Sequence, residues 1–336
     1  MKLSIGIVGL PNVGKSTLFK LLTNQNIDIA NYPFCTIDPN IGIVSVPDTR
    51  LTELTKISSS KKTVPAIVEF FDIAGLVKGA SEGAGLGNKF LSHIREVSAI
   101  VMVLRCFNND DIIHVENSVD PLRDLSIINT QLILKDLETV TKRLQGIDKE
   151  IKSGSKDAVQ EKTLLETIKA KLEAGKLITE FSEEKIIINL GLLSSKKRLY
   201  LLNGQEADVS PALKETILKE GSQAIIADLS ASEEAFRPAL EALIRASYET
   251  LGLMSFYTTG EEESRAWTIK KGMTGKEAAG VIHTDFEQKF IKAEIVSYED
   301  LIALGGWNQA KQKGKLRLEG KDYIVRDGDV IIFRHG

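Results

Sequence analysis

The chain has 336 residues, 43% of them hydrophobic, which is enough for two or three domains with cores of their own. Its formal net charge of −3 exerts no global pull toward nucleic acid, so DNA binding is not expected and any RNA contact must come from a local patch. Two cysteines, Cys35 and Cys106, exclude a disulfide framework, no apolar run is long enough for a membrane span, and Met1 and Lys2 lead straight into an apolar strand without signal-peptide organisation, so cytoplasm is the expected compartment.

Residues 3–8 form an apolar run that predicts a strand, and Gly9-Leu10-Pro11-Asn12-Val13-Gly14-Lys15-Ser16 separates it from a helical pattern at 17–22. This fits G-x-x-x-x-G-K-[ST] in the strand, loop and helix context that a phosphate-binding loop requires. Gly9 and Gly14 let the backbone turn so that the N–H groups of Asn12, Val13, Gly14, Lys15, Ser16 and Thr17 converge on an anion at a helix N-terminus. Lys15 is expected to reach the β- and γ-phosphates, and the Ser16 hydroxyl to ligate Mg²⁺.

Residues 30–40, with Pro33 and Pro39, read as a loop. Thr36 stands there as a second Mg²⁺ ligand that senses the γ-phosphate, and Cys35 beside it is either a small packed residue or an oxidation-sensitive thiol. A strand predicted at 67–71 ends in Asp72-Ile73-Ala74-Gly75, where Asp72 would hold Mg²⁺ through water and Gly75 would approach the γ-phosphate. Leu76 follows, where Ras-like enzymes carry the glutamine that orients the attacking water, and leucine cannot hydrogen-bond. Beyond a continuous apolar strand at 99–104, His114 lies in a polar loop; its imidazole could orient or deprotonate water in place of that glutamine, or be a packed histidine.

From Ile133, the apolar residues Leu137, Val140, Leu144, Ile147 and Ile151 alternate in steps of four and three, stop at 152–157, and resume at Leu165, Ile168 and Leu172. That seam predicts an antiparallel helical hairpin inserted between two parts of one nucleotide site. The sheet resumes at 197–202 and runs into Asn203-Gly204-Gln205-Glu206. A GTPase has N-K-x-D here; Gly204 and Glu206 replace its lysine and aspartate, so guanine loses its best reader and base selection is expected to be relaxed or to favour ATP. A strand at 223–227 leads to Leu229-Ser230-Ala231, the expected last base-contacting loop. From about Phe256 the chain alternates strand, helix and strand, and Lys311, Lys313, Lys315, Arg317 and Lys321 form a basic cluster that could meet RNA phosphates or be a solvated face.

Six strings carry a resemblance: residues 9–17, Tyr32-Pro33-Phe34-Cys35-Thr36, residues 72–80, Arg265-Ala266-Trp267-Thr268-Ile269, residues 282–287 and residues 320–325. Through them the chain resembles, nearly end to end, the YchF family, the Obg-like ATPases of the translation-factor class of P-loop GTPases. The resemblance implies an α/β fold with a P-loop G domain and mainly parallel sheet (1–128 and 183–253), an inserted antiparallel coiled-coil arm (129–182) and a C-terminal TGS domain of β-grasp fold (254–336). It also implies ATP hydrolysis with Mg²⁺ on Ser16 and Thr36, and His114 in place of the missing glutamine. An N-x-x-E motif at Asn203 and Glu206 would leave the Gly204 backbone to meet adenine, and ribosomes are the implied partner. Asn12 resembles the asparagine with which some related GTPases hold K⁺ near the phosphates. The competing reading is a conventional GTP-binding translation switch with little hydrolysis of its own.

Overall fold

A computed structural model describes residues 4–24, 40–73, 86–109, 112, 114, 116 and 118–336. Apolar runs without alternation suit strands covered on both faces, and β1 (Ser4–Val8) is buried along its whole length. It is followed by α1 (Lys15–Thr23), β2 (Ile41–Ser45), α2 (Thr49–Ile57), β3 (Lys62–Val64) and β4 (Ile67–Asp72). Then come α3 (Leu86–Glu96), the equally buried β5 (Ala99–Arg105), α4 (Pro121–Lys152), α5 (Lys156–Glu173) and α6 (Lys185–Leu190). With β6 (Lys197–Asn203), α7 (Pro211–Lys219) and β7 (Gln223–Ala227), a six-stranded sheet is complete in the order β2-β4-β1-β5-β6-β7. From β4 to β7 the neighbours pair in parallel, so their carboxyl ends share one edge, where such sheets place ligands.

The helical insertion begins earlier than its apolar seam. Asp120 caps α4 by accepting from the Arg123 N–H at 3.1 Å, and Pro121 fits the first turn because it has no N–H to leave unpaired. The chain reverses at Gly154, whose φ of +90° suits glycine, and Ser155 caps α5. Most of the expected positions then meet: Ile133, Val140, Leu165, Ile168 and Leu172 share one buried cluster, with Leu137 and Leu144 packed against it, while Ile147 and Ile151 are not among its members. Asp136 of α4 accepts from the backbone N–H groups of Leu193 and Ser194 at 2.8 and 2.7 Å, which returns the chain to β6.

The described residues divide into two compact units, one of 4–24, 40–42 and 69–243 and one of 43–68 and 244–336. After α8 (Glu233–Thr250), the second unit contains β8 (Leu253–Thr259), β9 (Glu263–Lys270), α9 (Gly275–Ile282), α10 (Thr284–Gln288), β10 (Phe290–Ser297), α11 (Tyr298–Leu304), α12 (Trp307–Gln312), β11 (Arg317–Glu319) and β12 (Asp329–His335). Its mixed sheet runs β11-β10-β12-β8-β9-β3. A reciprocal capping box between Thr274 and Glu277 starts α9, whose Ala278 and Ala279 join Phe256, Ile269, Ile295 and Ile331 in the core.

Residues 43–68 read in the sequence as nucleotide-domain chain, yet α2 and β3 belong to this second unit. Asp48 is one reason. It caps α2, receives a hydrogen bond from the Tyr257 hydroxyl, and pairs at 2.9 Å with Arg50, which also pairs with Asp327 at 2.7 Å. Burial alone would raise the Asp48 carboxyl, but the hydrogen bonds from Arg50 and Tyr257 hold it below the usual carboxylate range. Both tryptophans, Trp267 and Trp307, lie in this unit, so fluorescence follows its unfolding. Tyr257→Phe should lower its stability by about 1–3 kcal/mol at neutral pH. The gap to the parent should close in acid, because a carboxyl held low in the folded state contributes only above its unfolded pKa and loses that contribution as pH falls through the folded one. An unchanged denaturation midpoint would show that this clamp contributes nothing.

Candidate functional site

The loop between β1 and α1 turns on two left-handed residues, Asn12 (φ +62°) and Gly14 (φ +108°). A Cβ on Gly14 would stand 2.6 Å from Leu229 Cδ1 and 2.7 Å from Asn203 Nδ2, so only glycine fits. No side chain caps α1, and its first-turn N–H groups are presented to an anion at the positive end of the helix. Lys15, 7% exposed, donates from Nζ to the Leu10 carbonyl at 2.8 Å. Burial, opposed by the attraction of Asp72, lowers its pKa to about 8. Burial likewise raises Asp72 at the end of β4, against the pull of Lys15 and a hydrogen bond from the Ser16 hydroxyl. Ser16 and Asp72 thus place two oxygen donors beside a cation, chemistry that suits a hard ion such as Mg²⁺ bound together with phosphate.

Asn12, Gly14, Lys15, Ser16 and Thr17 open on a cleft of about 410 Å³ whose other wall is Phe107, Ile112, Asn203, Leu229 and Ser230. That volume is in the range of small-molecule sites. Asn203, 3% exposed, ties the walls together: Nδ2 donates to the Val13 carbonyl at 2.9 Å and Oδ1 accepts from the Leu229 N–H at 3.1 Å. Among the described residues lining the cleft none is acidic.

The structure separates residues that the sequence grouped. Thr36, Cys35, Gly75 and Leu76 lie outside the described residues. Val13 is buried behind the cleft. Gly204 and Glu206, expected at the base, are not among its lining residues: the Gly204 N–H donates to the Ala227 carbonyl at 3.1 Å, and the Glu206 side chain, 73% exposed, pairs with Lys214. His114 is 6% exposed and also off the cleft. Its Nε2 hydrogen-bonds Asp124 at 2.8 Å and its Nδ1 accepts from the Glu116 N–H at 3.2 Å, so both ring nitrogens are engaged within the protein. The basic cluster is partly neutralised, with Lys315 on Asp300 at 3.1 Å and Arg317 on Asp329 at 3.1 Å. Phe107 and Ile112 escaped the sequence reading; the available signal was an aromatic just past the carboxyl end of a strand that is apolar up to Arg105.

Comparison with known proteins follows the same outline. Residues 4–135 match a family described as 50S ribosome-binding GTPase, and residues 253–336 match the YchF-GTPase C-terminal family, described as a protein of unknown function. A Bacillus subtilis protein named Ribosome-binding ATPase YchF is 51% identical, with 99% of each chain aligned. The chain belongs to the YchF family. YchF proteins of Haemophilus influenzae and Escherichia coli O157:H7 are each 46% identical, again over 99% of both chains. The solved structure of the Schizosaccharomyces pombe YchF GTPase covers 99% of this chain and 98% of its own, with a TM-score of 0.86 and 40% identity. This YchF chain therefore has the P-loop GTPase-type α/β fold with mixed sheets. Asn203→Ala leaves one buried carbonyl and one buried N–H unpaired, and should cost about 2–4 kcal/mol in thermal unfolding followed by circular dichroism. Parent-like unfolding would remove Asn203 as the joint of the site.

Proposed function

We propose that this chain is a slow Mg²⁺-dependent ATP hydrolase that prefers ATP to GTP and works in the cytoplasm as a nucleotide-controlled, ribosome-associated factor. The base preference rests on one observation: Phe107, Ile112 and Leu229 line the cleft with no acidic neighbour among its described lining residues. Guanine N1–H and N2–H₂ then find no carboxylate acceptor among those described residues, while Glu206 faces Lys214. The names of its relatives, ribosome-binding ATPases, support both the nucleotide and the partner. The sheet order with α9 on its core supports reading residues 254–336 as a β-grasp TGS domain, and the seam of α4 and α5 supports a coiled-coil arm at 129–182.

In this reading Lys15 and the first-turn N–H groups of α1 neutralise charge developing on the transferred phosphoryl oxygens. Ser16 and Thr36 would hold Mg²⁺, with Asp72 behind, and the bound ion supplies further neutralisation of the same oxygens. Asn12, on the cleft wall, would offer its amide oxygen to K⁺. His114 orients the attacking water. Its Nδ1, which accepts from the Glu116 N–H, is the atom that would serve the water, and Asp124 holds Nε2.

Titration with ATP and GTP at equal Mg²⁺ should show ATP bound roughly tenfold tighter or more. Equal or tighter GTP binding would return the chain to a conventional GTP switch. His114→Ala should lose about 10²-fold or more in turnover with ATP affinity intact; parent-like turnover would free His114 of this role. The pH dependence has a definite sign. Phosphate charge draws the Lys15 pKa back up from about 8, so the complex keeps a proton that the free protein releases in mild alkali. Calorimetry in buffers of different ionisation enthalpy should therefore find uptake of about one proton on ATP binding at pH 9 and much less at pH 7, with affinity falling between them.

A further inference from the structure

Arg105 ends β5 and is 1% exposed, yet among the described residues its side-chain hydrogen bonds go to backbone carbonyls. Its Nε donates to the Phe107 carbonyl at 3.1 Å, one terminal nitrogen to the Ile112 carbonyl at 3.0 Å and the other to the Asn109 carbonyl at 2.9 Å. The guanidinium carbon also lies 4.7 Å from the centre of the Phe107 ring. A buried cation is costly unless its surroundings repay it, and here carbonyl dipoles and a ring face do so. The planar fork explains the residue type, since it donates in several fixed directions at once, whereas a lysine ammonium is a compact point donor on a flexible stem.

Of the residues Arg105 engages, Phe107 and Ile112 line the cleft, and Arg105 itself does not. The strand order puts the phosphate loop at β1, while these apolar residues, with Leu229, stand on the β5 to β7 side, away from β4 and Asp72. We propose that Arg105 is a positioning residue for the purine: by holding three loop carbonyls it sets Phe107 and Ile112 as the wall against which the base packs. This rests on reading the cleft as a nucleoside triphosphate site, and it assigns Arg105 to the base and not to the phosphates.

The test compares two probes on the full chain at equal Mg²⁺, ATP and inorganic tripolyphosphate, which shares the phosphates but has no base. Arg105→Gln should weaken ATP roughly tenfold, the scale of losing one stacking contact, and leave tripolyphosphate within about twofold. Phe107→Ala should show the same selectivity, and the double variant should be little worse than either single one, because both act through one wall. Should Arg105→Gln fail to fold, Arg105→Lys keeps the charge, loses the fork, and carries the same comparison. Unchanged ATP affinity, equal loss of both probes, or additive losses in the double variant would each overturn the proposal. A parent that binds neither probe would instead overturn the triphosphate reading beneath it, and a parent that binds both equally would leave the base without a wall to be positioned.

Discussion

One buried amide side chain joins the parts of this site. Asn203 stands at the end of β6, gives a hydrogen bond to the phosphate loop at Val13 and takes one from the loop beyond β7 at Leu229. A primary amide is suited to that place because it donates and accepts at once. The tie brings the loops so close that Gly14 can carry no side chain. The cleft is thus walled by loops from separated strands but held at a fixed width.

Around that joint, charge is buried and balanced locally. Lys15 and Asp72 each lose hydration and partly restore one another, which leaves the lysine with a lowered pKa and able to respond to incoming phosphate. Among the described residues Arg105 bonds to three loop carbonyls and lies over the Phe107 ring. His114 is held by Asp124 and the Glu116 N–H. Burial makes each of these interactions stronger than it would be in water and makes each unpaired partner expensive.

Much of this was legible in the residues. The strand, glycine loop and Lys15-Ser16 announce a phosphate cradle because each residue type answers a local need, and the structure puts Asn12, Gly14, Lys15, Ser16 and Thr17 on one cleft. The seam from Ile133 to Leu172 was legible for the same reason: helical period alone determines which side chains share a face. The pairing of exposed Glu206 with Lys214 could not be read from spacing, because motif spacing says where a residue lies along the chain, not which way a short turn aims it. Phe107 went unnoticed because an aromatic past a strand looks the same whether it lines a cleft or fills a core. The allocation of α2 and β3 to the second unit draws on Asp48 meeting Tyr257, Arg50 meeting Asp327 and β3 pairing with β9, partners about two hundred positions away or more, and no local pattern carries that.

By itself, the sequence determined the elements, the phosphate loop with its lysine and hydroxyl, the loss of the N-K-x-D guanine reader and the family to which the chain belongs, since these follow from short-range periodicity and contiguous strings. Only the tertiary structure decided which distant residues close the cleft, that Asn203 joins its walls, that Arg105 holds loop carbonyls, and that His114 meets Asp124. The physical reason is that burial and hydrogen-bond partners are properties of chain segments brought together by folding, and a side chain's charge, orientation and reach are settled by those partners.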